Sequence, residues 1–172
     1  MNIAVFDSST LILLAKTNII RKIYGYYKKI LISKNVLKES VELGKVQNKE
    51  DALIIEKEIK EKRIKVSKIK NIKMVNKMLS DFKCNLGEAE ALVLAIERKA
   101  VLFTDDFEAM KMCKVYDVQF ITALAFLVKL VEDDRIEKEG ALIKFDLLSR
   151  LGYYSKEILN QAFEECNKKW NK

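Results

Sequence analysis

The sequence predicts an α/β fold built on a parallel sheet. Three observations carry that expectation. Short apolar runs of strand length alternate with segments of helical periodicity. Acids stand directly after two of those runs, where ligands gather in open parallel sheets. The chain has 172 residues, the size of one ordinary domain with room for a core.

The elements follow in order. "IAVF" (3–6) reads as a buried strand and "STLILLAK" (9–16) as the helix after it. "NIIRKIYGYY" (18–27) is a second helical stretch, and "ILI" (30–32) is a strand. Ser33 is placed to cap a helix running through Leu43, with Gly44 as its stop. Residues 48–62 form a charged amphipathic helix, and "IKV" (64–66) a short edge strand. "GEAEALVLAIERK" (87–99) is a helix, apolar all round from Ala91 to Ile96 and so central. "VLFT" (101–104) is a strand, a helix follows to about Cys113, and "VQFI" (118–121) is another strand. From Thr122 onward the pattern is helical. No repeat or low-complexity linker divides the chain, so it reads as one unit, 1–172, with a core to about 131 and a helical extension over 132–172.

Composition narrows the chemistry. The hydrophobic fraction is 49%, and no apolar run approaches the ~20 residues of a membrane span. Asp7 and Lys16 interrupt the first apolar stretch, so no signal peptide is expected. The expectation is a soluble, cytoplasmic protein without a membrane partner. Cys84, Cys113 and Cys166 are odd in number and far apart, which suggests free thiols. The chain contains no histidine, which excludes Ser-His-Asp and Cys-His catalysis and every His-ligated metal. The net charge is +7, and residues 56–77 hold nine Lys/Arg against three Glu. That segment is either a solvated helix face or a phosphate-contacting patch, with Lys65, Lys68 and Lys70 the candidate nucleic-acid contacts.

The acids are the candidate site. Asp7 follows the first strand, and Asp105 and Asp106 follow the strand at 101–104. Each could be an N-cap, but one cap needs only one carboxylate. Glu39 has Val36 three residues before it and Leu43 four after, which puts it on the apolar face of its helix. Glu88 and Glu90 open the most apolar helix, roughly 200° apart around its axis. Glu90, stacked on Val93 and Leu94, is taken as the site acid, and Glu88 as support for the first turn. Gathered carboxylates raise one another's pKa unless a cation neutralises them. All-oxygen ligands without His or Cys suit Mg²⁺ or Mn²⁺, ions that do phosphodiester chemistry.

These residues resemble a PIN domain, the nuclease fold of VapC-type toxins and of structure-specific 5′ nucleases. "VFDSSTLILLAK" is similar to the family's opening strand, with its metal-binding Asp7 and supporting Ser8 or Ser9. "VLKESVELG" resembles the stretch carrying the second acid, Glu39, and "EALVLAIE" the helix of the third, Glu90. "LFTDD" resembles the strand ending in Thr104 with Asp106 as the fourth acid and Asp105 beside it. The match runs nearly end to end and looks most like a prokaryotic PIN subgroup. It implies a three-layer α/β/α fold with a central parallel sheet of about four or five strands and extra C-terminal helices. It implies a Mg²⁺- or Mn²⁺-dependent endoribonuclease with Asp7, Glu39, Glu90 and Asp106 catalytic. Asp7, Glu90, Asp105 and Asp106 would hold metal, with Ser8, Ser9, Glu88 and Thr104 in support. It also implies an RNA substrate, an antitoxin partner and a homodimer. Two other enzyme or signalling classes fit less well. A haloacid-dehalogenase-type phosphatase needs a second Asp where this chain has Ser9, and a receiver domain carries its acid pair after the first strand. The non-enzyme rival is a PIN scaffold kept for binding.

Overall fold

The computed structural model describes residues 3–171; the ends of the expected 1–172 unit, residues 1, 2 and 172, lie outside the described residues. Five short strands form one sheet: β1 (Ile3–Phe6), β2 (Lys29–Ile32), β3 (Ile64–Val66), β4 (Val101–Phe103) and β5 (Phe120–Ile121). Their order is β3-β2-β1-β4-β5, and every pairing is parallel. Helices flank the sheet in a three-layer α/β/α arrangement. The central strands are apolar on both faces, as a sheet covered twice requires. Phe6 and Phe103 are fully buried on β1 and β4 and stack at 4.4 Å between ring centroids.

The connections are helical. They are α1 (Ser8–Lys16), α2 (Lys34–Leu37), α3 (Leu43–Val46), α4 (Glu50–Lys60) and α5 (Ile72–Asp81). Then come α6 (Leu86–Arg98), α7 (Phe107–Val115), α8 (Ala123–Glu132), α9 (Lys138–Leu151) and α10 (Lys156–Trp170). Most sequence-predicted elements lie where expected, β3 at an edge included.

Two readings are corrected. The second helical stretch is a 3₁₀ segment, Ile20–Gly25. Gly44 does not stop the helix capped by Ser33. The helix passes through a π-helical turn, Lys38–Glu42, and continues as α3. Gly44 is there because a Cβ would stand 2.7 Å from the Ala52 Cβ of α4. A helix the sequence did not predict, α5, begins in the basic segment and runs past it, with an apolar stripe that buries Val75 and Met78. Among the described residues no helix is long and apolar enough to cross a membrane, and the three cysteines are free thiols.

Candidate metal and active site

β1 and β4 are neighbours at the centre of the sheet, so the residues after them meet at one edge. Asp7 follows β1 and is 1% exposed. It caps α1: the Thr10 N–H donates to its Oδ1 at 2.8 Å, and the Ser9 hydroxyl to the same oxygen at 3.2 Å. Its other oxygen, Oδ2, is buried with no hydrogen-bond partner. Burial pushes the Asp7 carboxyl up to about 6, and the Asp105 charge adds to this; Thr104 and Thr10 nearby act against it.

Glu39 comes from the π-helical turn after β2. The Ser8 hydroxyl donates to its Oε2. Its carboxylate lies against Gly87 on α6, where a Cβ would stand 2.8 Å from Oε2. A helix with an extra residue in its turn shifts the side chains that follow, and such turns recur at functional positions.

The aspartate doublet divides. Asp106 caps α7, accepting from the Ala109 N–H at 2.8 Å, and its own N–H donates to the Thr104 hydroxyl at 3.2 Å. Asp105 is committed elsewhere. The Tyr154 hydroxyl donates to its Oδ1 at 2.5 Å, and the Ala123 N–H at the start of α8 donates to both its oxygens. Its backbone N–H reaches the Thr10 hydroxyl at 2.8 Å. Those contacts make Asp105 a brace between β4, α8 and the C-terminal helices rather than an open ligand.

Glu88 and Glu90 face different ways on α6, as their spacing predicts. Glu90 accepts from the Asn35 N–H at 3.3 Å and lines a separate cavity with Lys34, Ser67 and Lys68. Glu88 lines a cleft of about 270 Å³ with Ser9, Lys16, Asp105 and Asp106. It also completes a capping box at the start of α6, accepting from the Asn85 N–H at 3.0 Å while the Asn85 side chain accepts from Glu88 N–H at 2.9 Å. Burial raises the Glu88 pKa, and the charges of Asp106, Glu39 and Glu108 raise it further. Glu88 therefore feels two of the other acids, while Glu90 is drawn away by the α2 backbone. The capping pattern Asn85-x-x-Glu88 and the small Gly87 were the sequence signals of this orientation.

Among the described residues, no three acids stand close enough together to hold an ion as arranged. The chemistry of the donor set still suits a hard divalent cation. Asp7 Oδ2 is buried without a hydrogen-bond partner, and Glu88 lies within reach of the charges of Asp106 and Glu39. The Ser8, Ser9 and Thr104 hydroxyls lie among these acids, whereas Lys65, Lys68 and Lys70 are exposed on and after the edge strand β3.

No curated protein and no solved structure matches the chain. A family model described as DUF3368, a PIN domain, matches residues 3–168, from β1 into the last helix. The match covers nearly the whole chain, and with the parallel sheet and its acid-lined edge it leads to one assignment: the chain belongs to the PIN-domain family, whose fold is that of nucleases.

Proposed function

We propose that this protein is a Mg²⁺- or Mn²⁺-dependent endoribonuclease whose working acids are Asp7, Glu39, Glu88 and Asp106. The observation that carries the reading is Asp7 Oδ2, a buried carboxylate oxygen with no hydrogen-bond partner, after the strand that pairs with the one leading to Asp106. A bound divalent ion would supply Lewis-acid activation of water and charge neutralisation at the phosphodiester. The chain's own residues prepare for it. Ser9 and Thr10 fix Asp7 through Oδ1 and leave Oδ2 available. Ser8 orients Glu39. Glu88, raised by burial and by the charges of Asp106, Glu39 and Glu108, is placed in the cleft to take and return a proton in a protein without histidine.

The test is cleavage of a labelled RNA with Mn²⁺ and with EDTA, beside calorimetric titration of Mn²⁺. Cleavage that needs the ion, and ion binding lost in Asp7→Asn, support the reading. A chain that binds RNA but never cuts it in Mn²⁺ is the binding scaffold instead. An antitoxin partner and a homodimer are proposed on the resemblance alone. A small adjacent gene for a DNA-binding protein, and a dimeric mass by light scattering, are the corresponding observations.

A further inference from the structure

The acid cleft has a wall that the proposed chemistry does not use. Leu151, Gly152 and Tyr153, from the elbow between α9 and α10, line it beside Asp105 and Asp106. Tyr153 is fully exposed, at 105% of its reference area. A lone exposed aromatic is ordinary on a protein surface. This one stands on an anchored segment. The next residue, Tyr154, is anchored through its hydroxyl to Asp105 at 2.5 Å. Gly152 makes that anchor possible, because a Cβ there would stand 2.3 Å from the Tyr154 ring. The elbow is thus pinned to the acid doublet, and its backbone presents the Tyr153 ring at the cleft rim.

The surroundings specify an occupant. Lys16 lines the same cleft. Phe107 follows Asp106 directly, is 68% exposed, and carries the Lys111 ammonium 4.5 Å from its ring centroid. Aromatic faces interleaved with cations beside a phosphodiester-cutting site match single-stranded nucleic acid: bases stack on the rings and phosphates meet the lysines. A base inside a duplex has both faces stacked on its neighbours and none free for a ring.

We propose that Tyr153 is a stacking platform for an unpaired base of the RNA strand lying across the acid cleft. This rests on the endoribonuclease reading and adds to it a substrate-positioning residue and a preference for unpaired strands.

The experiment measures binding of a short oligoribonucleotide carrying 2-aminopurine, with Ca²⁺ in place of Mn²⁺, by fluorescence quenching. Its duplex with a complementary strand is measured in parallel. Tyr153→Ala should weaken single-strand binding about tenfold and abolish most of the quenching. Tyr153→Phe and Tyr153→Trp should retain both, and duplex binding should not change. Equal affinity of Tyr153→Ala and wild type overturns the proposal. So does an equal loss on single strand and duplex, or a wild type that binds no single strand. Mn²⁺-dependent cleavage by the wild type is scored separately. Its absence with the Tyr153 effect intact would sink the nuclease reading and leave the platform standing.

Discussion

At Asp7 one carboxylate oxygen is bonded twice and the other not at all. Those facts let one substitution separate capping from chemistry. Asn caps a helix almost as well as Asp, so Asp7→Asn keeps the start of α1. It also removes a buried charge whose pKa has moved from 3.8 to about 6. That shift corresponds to roughly 3 kcal/mol of disfavoured charge at neutral pH. The new amide N–H₂ lacks an acceptor at the same spot, which costs about 1–3 kcal/mol. The metal-free protein should therefore melt at the same temperature or slightly higher, while Mn²⁺ binding and cleavage disappear together. Melting curves with and without Mn²⁺, run beside the RNA assay, give the answer. An activity-neutral Asp7→Asn would reduce Asp7 to a cap. The two glutamates of α6 give a second contrast. Glu88→Gln should lower cleavage by at least tenfold, whereas Glu90→Gln, which alters only the contact to Asn35, should leave it within about twofold. The reverse ranking would return the third acid to Glu90.

Element packing decides what the residues can reach. Gly87 gives Glu39 its place, since an added Cβ would meet both carboxylate oxygens and the carbon between them. The obstructed atoms are the tip of a flexible side chain, so the helix can accept Ala and even gain up to ~1 kcal/mol from propensity. Gly87→Ala should thus keep or raise the melting temperature while cutting activity severalfold, because Glu39 is displaced from Ser8; unchanged kcat would show that Glu39 is not needed. A different element junction holds the far side of the sheet. Glu58 on α4 is fully buried and accepts from Arg21, Tyr24 and Arg63. Burial alone would raise its pKa, but the bonds from Arg63, Tyr24 and Arg21 prevail and hold it at about 2, against 4.5 for a free Glu. A depressed carboxylate stabilises above its unfolded pKa and loses that contribution as pH falls through the folded one. Acid unfolding should accordingly contain a Glu58-dependent loss between about pH 4.5 and pH 2, absent from Glu58→Gln. These junctions mark the limit of sequence reading. Strand runs ending in Asp7 and Asp106 are local patterns and were legible, as was the Ser33 cap. The facing of α6 was legible only through the Asn85-x-x-Glu88 capping pattern and Gly87, because a helix apolar all round has no stripe to orient it. The π-helical turn after Leu37 and the apolar stripe of α5 were hidden, one by its dependence on packing against α4 and the other by its lysines.

Across the whole molecule, charge and topology suit the proposed RNA to one path. The acids lie after β1 and β4, and the basic loop follows β3, the opposite edge from β5. At the usual strand spacing, the end of β3 is about 10–15 Å from the acid edge. Lys68 shares a cavity there with Lys34 and Glu90, on the same side of the sheet as the strand ends. Lys65 and Lys70 are exposed beside it. A strand crossing from this loop toward Lys16 and Tyr153 would pass over Asp7. The lysines contribute no chemistry on such a path. They exchange condensed counterions for phosphate contacts, and each contact adds about 0.7 to the slope of log K against log salt for a single strand. Replacing Lys65, Lys68 and Lys70 together by Gln should flatten that slope by up to about 2 and weaken binding most at low salt. The melting temperature should barely move, since exposed lysines without buried partners hold little of the fold. Cleavage at saturating RNA should match the wild type, because the acid edge is untouched. A slope that stays the same would make the segment a solvated face of α5 and β3, and the RNA path would then have to run from the Lys16 side alone.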